Sequence, residues 1–411
     1  MKRIILTPII FLLILIGCLM LMHLIPTSLM KKNIEESIIH YDENRYKSYF
    51  GDLRFAKGDS SADSSTLNVI YNTSKHKSVL YSTLIVPAYR NHNNQDFTSM
   101  AYDTIINGKE ANYNYNRYWH GYQVLWKPLL TLFNANAIRQ IMLVAYLCLL
   151  AYTIYSCIKT NNTKLGIAIG VLNIVYIVPF GFTALEYIPV FLIMMIASLL
   201  LLKNKLNPLI ILTCSGIAVA FFDFLTSETL TLTVPLLTYL YLQRKNPKFL
   251  EFIKLGIGWI VGYCGTFLTK WGLSTLIYKE NYFKIAMEKY DTHKSPFDAM
   301  TTVKSNISVL FGDNLSFNEV FRLFVVLMAA LIFIIYLFRK ETTSAKYLFF
   351  ILIICTIPYL RYLIISDHSW GFAWFTYRAQ LVLFPALVLA LSEVDLSIFK
   401  KQKKGIRNIC K

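Results

Sequence analysis

Long apolar runs separated by short polar connections dominate this chain. One covers residues 4–25, a polar stretch follows, and nine more come in succession at 138–158, 165–181, 187–202, 207–222, 229–242, 252–277, 317–338, 346–365 and 379–397. A helix needs about 20 apolar residues to cross a bilayer core. The pattern therefore predicts an all-α polytopic membrane protein with ten transmembrane helices. Its divisions are a first helix in 1–26, a large extracytoplasmic loop domain in 27–137, helices two to seven in 138–278, an outer loop in 279–316, helices eight to ten in 317–398 and a basic cytoplasmic tail in 399–411. The first run is longer than a signal-peptide core and no Ala-x-Ala site follows it, which predicts an uncleaved anchor.

Charge refines this picture. Lys and Arg number 41 against 24 Asp and Glu, a formal net charge of +17. In a soluble chain that excess points to nucleic acid, but a composition 55% hydrophobic and 16% charged excludes a soluble enzyme. The basic residues fall on one set of turns: Lys2 and Arg3, Lys159 and Lys164, Lys203 and Lys205, Arg244 to Lys248, Arg339 to Lys346, and the Lys400–Lys404 cluster with Arg407. By the positive-inside rule that side is cytoplasmic, so both termini are expected inside the cell membrane and residues 27–137 outside. The excess is then a topology marker, with some attraction to anionic lipid, and no nucleic-acid partner is expected. Six of the seven cysteines lie in predicted helices and Cys410 in the tail, so the outer segment lacks disulfides and must pack against the helical bundle.

Three outer segments carry the polar chemistry. In the first, Asp59 and Asp63 stand four residues apart before the apolar positions Leu67, Ile70 and Tyr71. On a helix they share a face, where like charges are tolerated if they share a cation or proton, or if one caps the helix. Asp42 and Glu43 are a second acidic pair, of which one can point into a site. Further on, Arg117, Trp119 and His120 sit within the tyrosine-rich stretch 113–122. An aromatic belt anchors rings at the membrane surface but does not call for Arg and His among them. The 279–316 connection reads as a lid or a solvated loop. The last loop holds Arg361, Asp367, His368, Trp370, Trp374, Tyr377 and Arg378. Within or beside apolar runs lie Glu186, Asp223 and Glu228, which either rest in the headgroup layer or line a cavity and pair with a cation. The stretch 226–228 reads as a broken or re-entrant turn.

One short helix, a large acidic first outer loop, many further spans and a polar outer cavity resemble the GT-C glycosyltransferase superfamily in layout. The resemblance implies transfer of a sugar from a polyprenyl-phosphate carrier to an extracytoplasmic cell-envelope acceptor: glycan, lipid or protein. An acidic residue of the first outer loop would act as base or metal ligand. It places the catalytic role on Asp59 and Asp63, with Asp42 and Glu43 as the alternative that matches the Asp-Glu form of one branch. The three-residue gap between Asp59 and Asp63 departs from the usual Asp-x-Asp, and a divalent cation is left open. Donor phosphate is expected at Arg117, His120 and Arg378, in a cavity lined by Trp119, Asp223, Glu228, Asp367, His368 and Tyr377. Other readings are a transporter or flippase, an envelope-polysaccharide polymerase or ligase, and a non-catalytic assembly protein.

Overall fold

The structure, a computed structural model, describes residues 2–43, 59–75, 78–91, 96–292, 299–311 and 344–395, with a few more between 327 and 339. The first apolar run is a single helix, α1 (Lys2–Met22), with leucines and isoleucines exposed along much of its length.

Between α1 and the next long helix the chain forms α2 (Thr27–Glu43), α3 (Ser60–Lys75), α4 (Val79–Leu84), β1 (Pro87–Ala88), α5 (Phe97–Ile105), β2 (Tyr113–Asn114) and α6 (Gln123–Leu130). The two short strands pair antiparallel, Pro87 with Asn114 and Ala88 with Tyr113. Helix α3 starts at an Asp59 cap and is buried along almost its whole length between α2 and α5. Two of its buried polar positions are satisfied internally: Thr73 donates to Gln123, and Asn72 donates to Asn68. Ile34, Ile70, Tyr122 and Trp126 from this segment join Tyr146, Leu185 and Phe191 of the bundle in one apolar core. A segment without a cysteine thus gains its order by packing on its neighbours.

The bundle continues with α7 (Ala135–Lys159), α8 (Thr163–Leu172) extended by a π-helical stretch to Gly181, a short turn of helix at Leu185–Tyr187, and α9 (Ile188–Lys203). Next come α10 (Pro208–Phe222), α11 (Leu230–Leu242) and α12 (Phe249–Tyr278). Among the described residues seven helical segments are long and apolar enough to cross a membrane: Lys2–Met22, Ala135–Lys159, Thr163–Gly181, Leu185–Lys203, Phe249–Tyr278, Ala345–Ile364 and Ala373–Leu391. The expected run 317–338 falls mostly outside the described residues.

Helices α10 and α11 are shorter, at 15 and 13 residues. At about 1.5 Å per residue neither spans a 30 Å core. Their junction at 223–229 is consequently set into the protein, and protein groups satisfy it. The Thr226 amide donates to Asp223 Oδ2 across 3.0 Å, and Arg361 Nη2 donates to the Leu225 carbonyl across 2.6 Å. The expected broken turn is this irregular junction, covered as buried backbone requires. Helices α10 and α12 approach closely because Gly216 and Gly262 remove side chains from the contact.

The 279–316 connection, read as a loop, instead contains α13 (Tyr282–Thr292) and α14 (Ala299–Phe311). Helix α14 packs on α15 (Ala345–Ile364), α16 (Ser366–Gly371) and α17 (Ala373–Thr376), before a turn at Tyr377–Val382 and α18 (Leu383–Leu391). Asn306 of α14 binds three parts of this region: it donates to Ser369, accepts from Thr376 and accepts from Gln380. At the opposite end of the bundle Lys164 pairs with Glu393 at 3.0 Å.

Candidate functional site

Four junctions meet at the end of the bundle covered by α2, α3 and α5. They are the turn before α9, the α10–α11 junction, the strand pair β1–β2 with its extension, and the segment from α16 to α17. Between them lies a cavity of about 440 Å³ whose walls include Asp59 before α3, Ser65 and Asn68 of α3, Tyr89 and Arg90 after β1, Tyr113, Tyr115, Arg117, Tyr118, Glu186, Phe224, His368 and Trp374. A second, apolar hollow of about 360 Å³ adjoins it, lined by Tyr263, Phe267, Leu268 and Trp271 of α12, Ala286 of α13 and Ile365. Arg117, Tyr118 and His368 border both.

Arg117 is held from its backbone. Its carbonyl accepts from Trp271 Nε1 at 3.1 Å, and its guanidinium stacks between Tyr115 and Tyr118, each ring 5.6 Å away. No carboxylate among the described residues pairs with it, and its Nε is buried without a partner. A cation in that state, at the border of a polar and an apolar hollow, is suited to a phosphate with a greasy substituent.

Glu186 is the other reactive group. Its side chain lines the polar cavity, and among the described residues it has neither a hydrogen-bond nor an ion-pair partner. Asp59, Asp223, Asp63 and Arg378 are the charges in its surroundings. A carboxylate that is nine-tenths buried and unpaired is costly to keep unless a ligand hydroxyl or cation meets it.

The two aspartates singled out from sequence do share α3, but they do different things. Asp59 is the helix cap: Oδ1 accepts from the Ala62 amide at 3.0 Å, while Oδ2 accepts from the Tyr187 hydroxyl and from Trp374 Nε1 at 3.2 Å. It forms part of the cavity wall. Asp63 does not line the cavity. It is fully buried, accepts from Tyr41 at 2.7 Å and from the Leu185 amide at 2.6 Å, and lies 3.7 Å from Arg139. Burial pushes its carboxyl up to about 6, against Arg139, Tyr41 and Leu185, and both oxygens already have partners within the protein. The alternative pair Asp42 and Glu43 ends α2 and is absent from both cavity walls.

Of the three expected phosphate-binding groups, Arg117 borders both hollows and the other two border neither. His120 is buried: Nε2 lies 2.8 Å from the Tyr115 carbonyl, and Nδ1 lies 3.2 Å from the Tyr122 hydroxyl. A carbonyl only accepts, so Nε2 carries the proton and Nδ1 accepts, leaving nothing for a ligand. Burial, then Lys270, holds its imidazole well below the usual range, so it is neutral. Arg378 is buried with its guanidinium 3.9 Å over the Tyr187 ring and 5.2 Å from that of Tyr377. It lines neither hollow.

Among the expected cavity-lining residues, His368 alone lies on the walls. Trp119 is fully buried, with Nε1 donating to the Thr266 carbonyl at 2.8 Å. Asp223 accepts from both the amide and the hydroxyl of Thr226 and shapes its own junction. Glu228 pairs with Arg361 at 2.9 Å, the internal partner foreseen for a buried carboxylate. Tyr377 is enclosed, and Asp367 opens α16 away from both walls. Sequence reasoning named Glu186 but left it out of the site, and it passed over Arg90, Arg139 and Asn306. A carboxylate beside Tyr187 at a predicted helix start was the one available signal.

Among the described residues no three His, Cys, Asp or Glu side chains are grouped as metal ligands. No site for the divalent cation left open above is therefore assembled among the described residues. No protein-family model, no curated protein and no solved structure matches this chain.

Proposed function

We propose that this multi-pass protein is an integral membrane glycosyltransferase resembling the GT-C enzymes. It takes a sugar from a polyprenyl-phosphate carrier and passes it to a cell-envelope acceptor on the extracytoplasmic face. The observation that carries this reading is the position of Arg117, an unpaired cation between a polar cavity with a free carboxylate and an apolar hollow. The hollow suits the first isoprene units, Arg117 the phosphate and the polar cavity the sugar. Both termini and the Lys164 end of the bundle are cytoplasmic in this reading, in keeping with the basic residues there.

The acceptor hydroxyl oxygen bonds to the anomeric carbon while the bond from that carbon to the phosphate oxygen breaks. The electron pair remains on the departing lipid phosphate, which Arg117 stabilises, and the hydroxyl proton passes to Glu186. Trp374 and Tyr113 offer faces on which sugar rings stack.

The test is turnover of a radiolabelled polyprenyl-phosphate sugar by the purified full chain. Glu186→Gln is expected to lose about a hundredfold or more in turnover with donor binding retained, as removal of a general base does. Arg117→Ala is expected to weaken donor binding. Normal transfer by both variants would sink the proposal.

A further inference from the structure

The residues that follow β1 are held in an unusual way. Asn68 of α3 donates to the Tyr89 carbonyl at 2.8 Å and accepts from the Tyr89 amide at 3.0 Å. One residue on, Asn112 accepts from the Arg90 amide at 2.8 Å and donates to the Arg90 carbonyl at 2.9 Å. Two side-chain amides therefore imitate strand partners on consecutive residues. They extend the hairpin past the last β1–β2 pair, Ala88 with Tyr113. Both residues so fixed, Tyr89 and Arg90, lie on the cavity wall.

The Arg90 guanidinium has no carboxylate or hydrogen-bond partner among the described residues; its one side-chain contact is the Tyr113 ring, 5.3 Å away. Tyr113 in turn lies 5.7 Å from Tyr115, and Tyr115 lies 5.6 Å from Arg117. One wall is thus a ladder of two guanidiniums and the tyrosine rings between them; neither guanidinium has a carboxylate partner among the described residues, and Arg117 also hydrogen-bonds Tyr113. Arg117 stands next to the apolar hollow, whereas Arg90 does not border it. A fixed, unpaired fork of donors facing a cavity is a binding element for a carboxylate or phosphate.

We infer that Arg90 forms a second anion-binding position in this cavity, distinct from the donor phosphate at Arg117, and that it selects an acceptor sugar bearing a carboxylate or a phosphate. This rests on the reading of the cavity as the transferase site. Such an acceptor lies with its anionic group at Arg90 and its rings against Tyr113 and Trp374, which leaves a hydroxyl to face Glu186.

The experiment is calorimetric binding to the full chain in detergent, with glucuronate, glucose phosphate and glucose as one series and farnesyl phosphate as a separate probe. At least one anionic sugar is expected to bind about tenfold more tightly than glucose, the usual scale for a hydrogen bond to a charged group. Preference for glucuronate points to a carboxylate acceptor, and preference for glucose phosphate to a phosphorylated one. Arg90→Ala should abolish the preference while farnesyl phosphate binding is unchanged, and Arg90→Lys should keep part of it. Equal binding of all three sugars by the native chain, or an intact preference in folded Arg90→Ala, overturns the inference. Farnesyl phosphate binding that survives in Arg117→Ala counts against the donor reading instead, and leaves the Arg90 result standing by itself.

Discussion

The main-chain amide of Leu185 donates to Asp63 Oδ1 across 2.6 Å, and the residue after Leu185 is Glu186. The buried aspartate of α3 thereby anchors the turn that carries the free carboxylate. Arg139 strengthens the arrangement, since it pairs with Asp63 and also donates to the Thr183 carbonyl two residues before Leu185. Asp63→Asn keeps the size but deprives the half-buried Arg139 of its counter-ion. Removing one partner of a buried pair costs about 3–5 kcal/mol. The expected result is a clearly lower melting temperature for Asp63→Asn in detergent, beside an unchanged one for Glu186→Gln, whose carboxylate bonds to nothing described. Equal melting temperatures for the two variants would refute the anchoring role.

A second buried pair joins the α10–α11 junction to α15. Arg361 Nε lies 2.9 Å from Glu228 Oε1, and Nη1 donates to Ser369 Oγ at 2.7 Å. Because both charges are enclosed, deleting either strands the other. Glu228→Gln and Arg361→Met are each expected to cost about 3–5 kcal/mol. The double variant should recover most of the loss, since two neutral side chains avoid the desolvation cost. A double-mutant cycle on thermal unfolding measures this, and additive losses would mean that the pair is not coupled.

How far the sequence could be read depended on whether a residue's partners lay nearby in the chain. Runs of apolar residues are local, so α1, α7, α9 and α12 were legible, as was the lack of disulfides in 27–137. The place of Arg117 on a cavity wall was legible too, because an arginine among tyrosines at a surface is anomalous by itself. Trp119 and His120, from the same stretch, were misread. What encloses them is Phe221, Phe224 and Thr266, a hundred or more positions away, and no local pattern reports that. The four-residue spacing of Asp59 and Asp63 did mark one helix face. Yet the same spacing put one residue at the helix cap and the other a turn deeper, where Leu185 and Arg139 absorb it. The helices α13 and α14 were hidden because their apolar positions are mixed with Lys, Asn and Thr, which read as a solvated loop.

Lys127 makes a pH effect calculable. Its Nζ lies 2.8 Å from His23 Nδ1, with Lys270 and His120 as the other ionisable groups around His23. Burial lowers the Lys127 amine from 10.5 to about 7, and burial together with Lys127 lowers His23 to about 2. A base whose folded value lies below its unfolded value binds more protons when unfolded. Between pH 7 and 10.5 the Lys127 term therefore raises stability with pH, by about 1.4 kcal/mol per unit. His23 titrates mainly below this window and adds only a small part of the slope, near pH 7. Lys127→Met should accordingly show a flatter rise of melting temperature between pH 7 and 9 than the native chain. Parallel curves would mean that Lys127 is charged in the folded protein.

The glycines of α12 separate close helix packing from simple tolerance. A Cβ on Gly262 would overlap the Thr213 carbonyl of α10, and one on Gly216 of α10 would overlap the Trp259 carbonyl of α12. In both cases the obstacle is backbone, which cannot rotate aside. Gly256 and Gly265 lie on the same α12 and have nothing within 4 Å of such a Cβ. Without a hydrophobic driving force between helices in lipid, contacts of this kind supply much of the association energy. Overpacking at them costs more than the about 1–3 kcal/mol of an adaptable core, since the helix axes themselves must part. Gly216→Leu and Gly262→Leu are therefore expected to yield little monodisperse protein by size-exclusion chromatography, whereas Gly256→Leu and Gly265→Leu elute normally. The α10–α11 junction that borders the candidate site depends on this contact, so the first two substitutions should also abolish farnesyl phosphate binding in whatever folded protein remains. If all four variants elute and bind alike, α10 and α12 do not approach as closely as described.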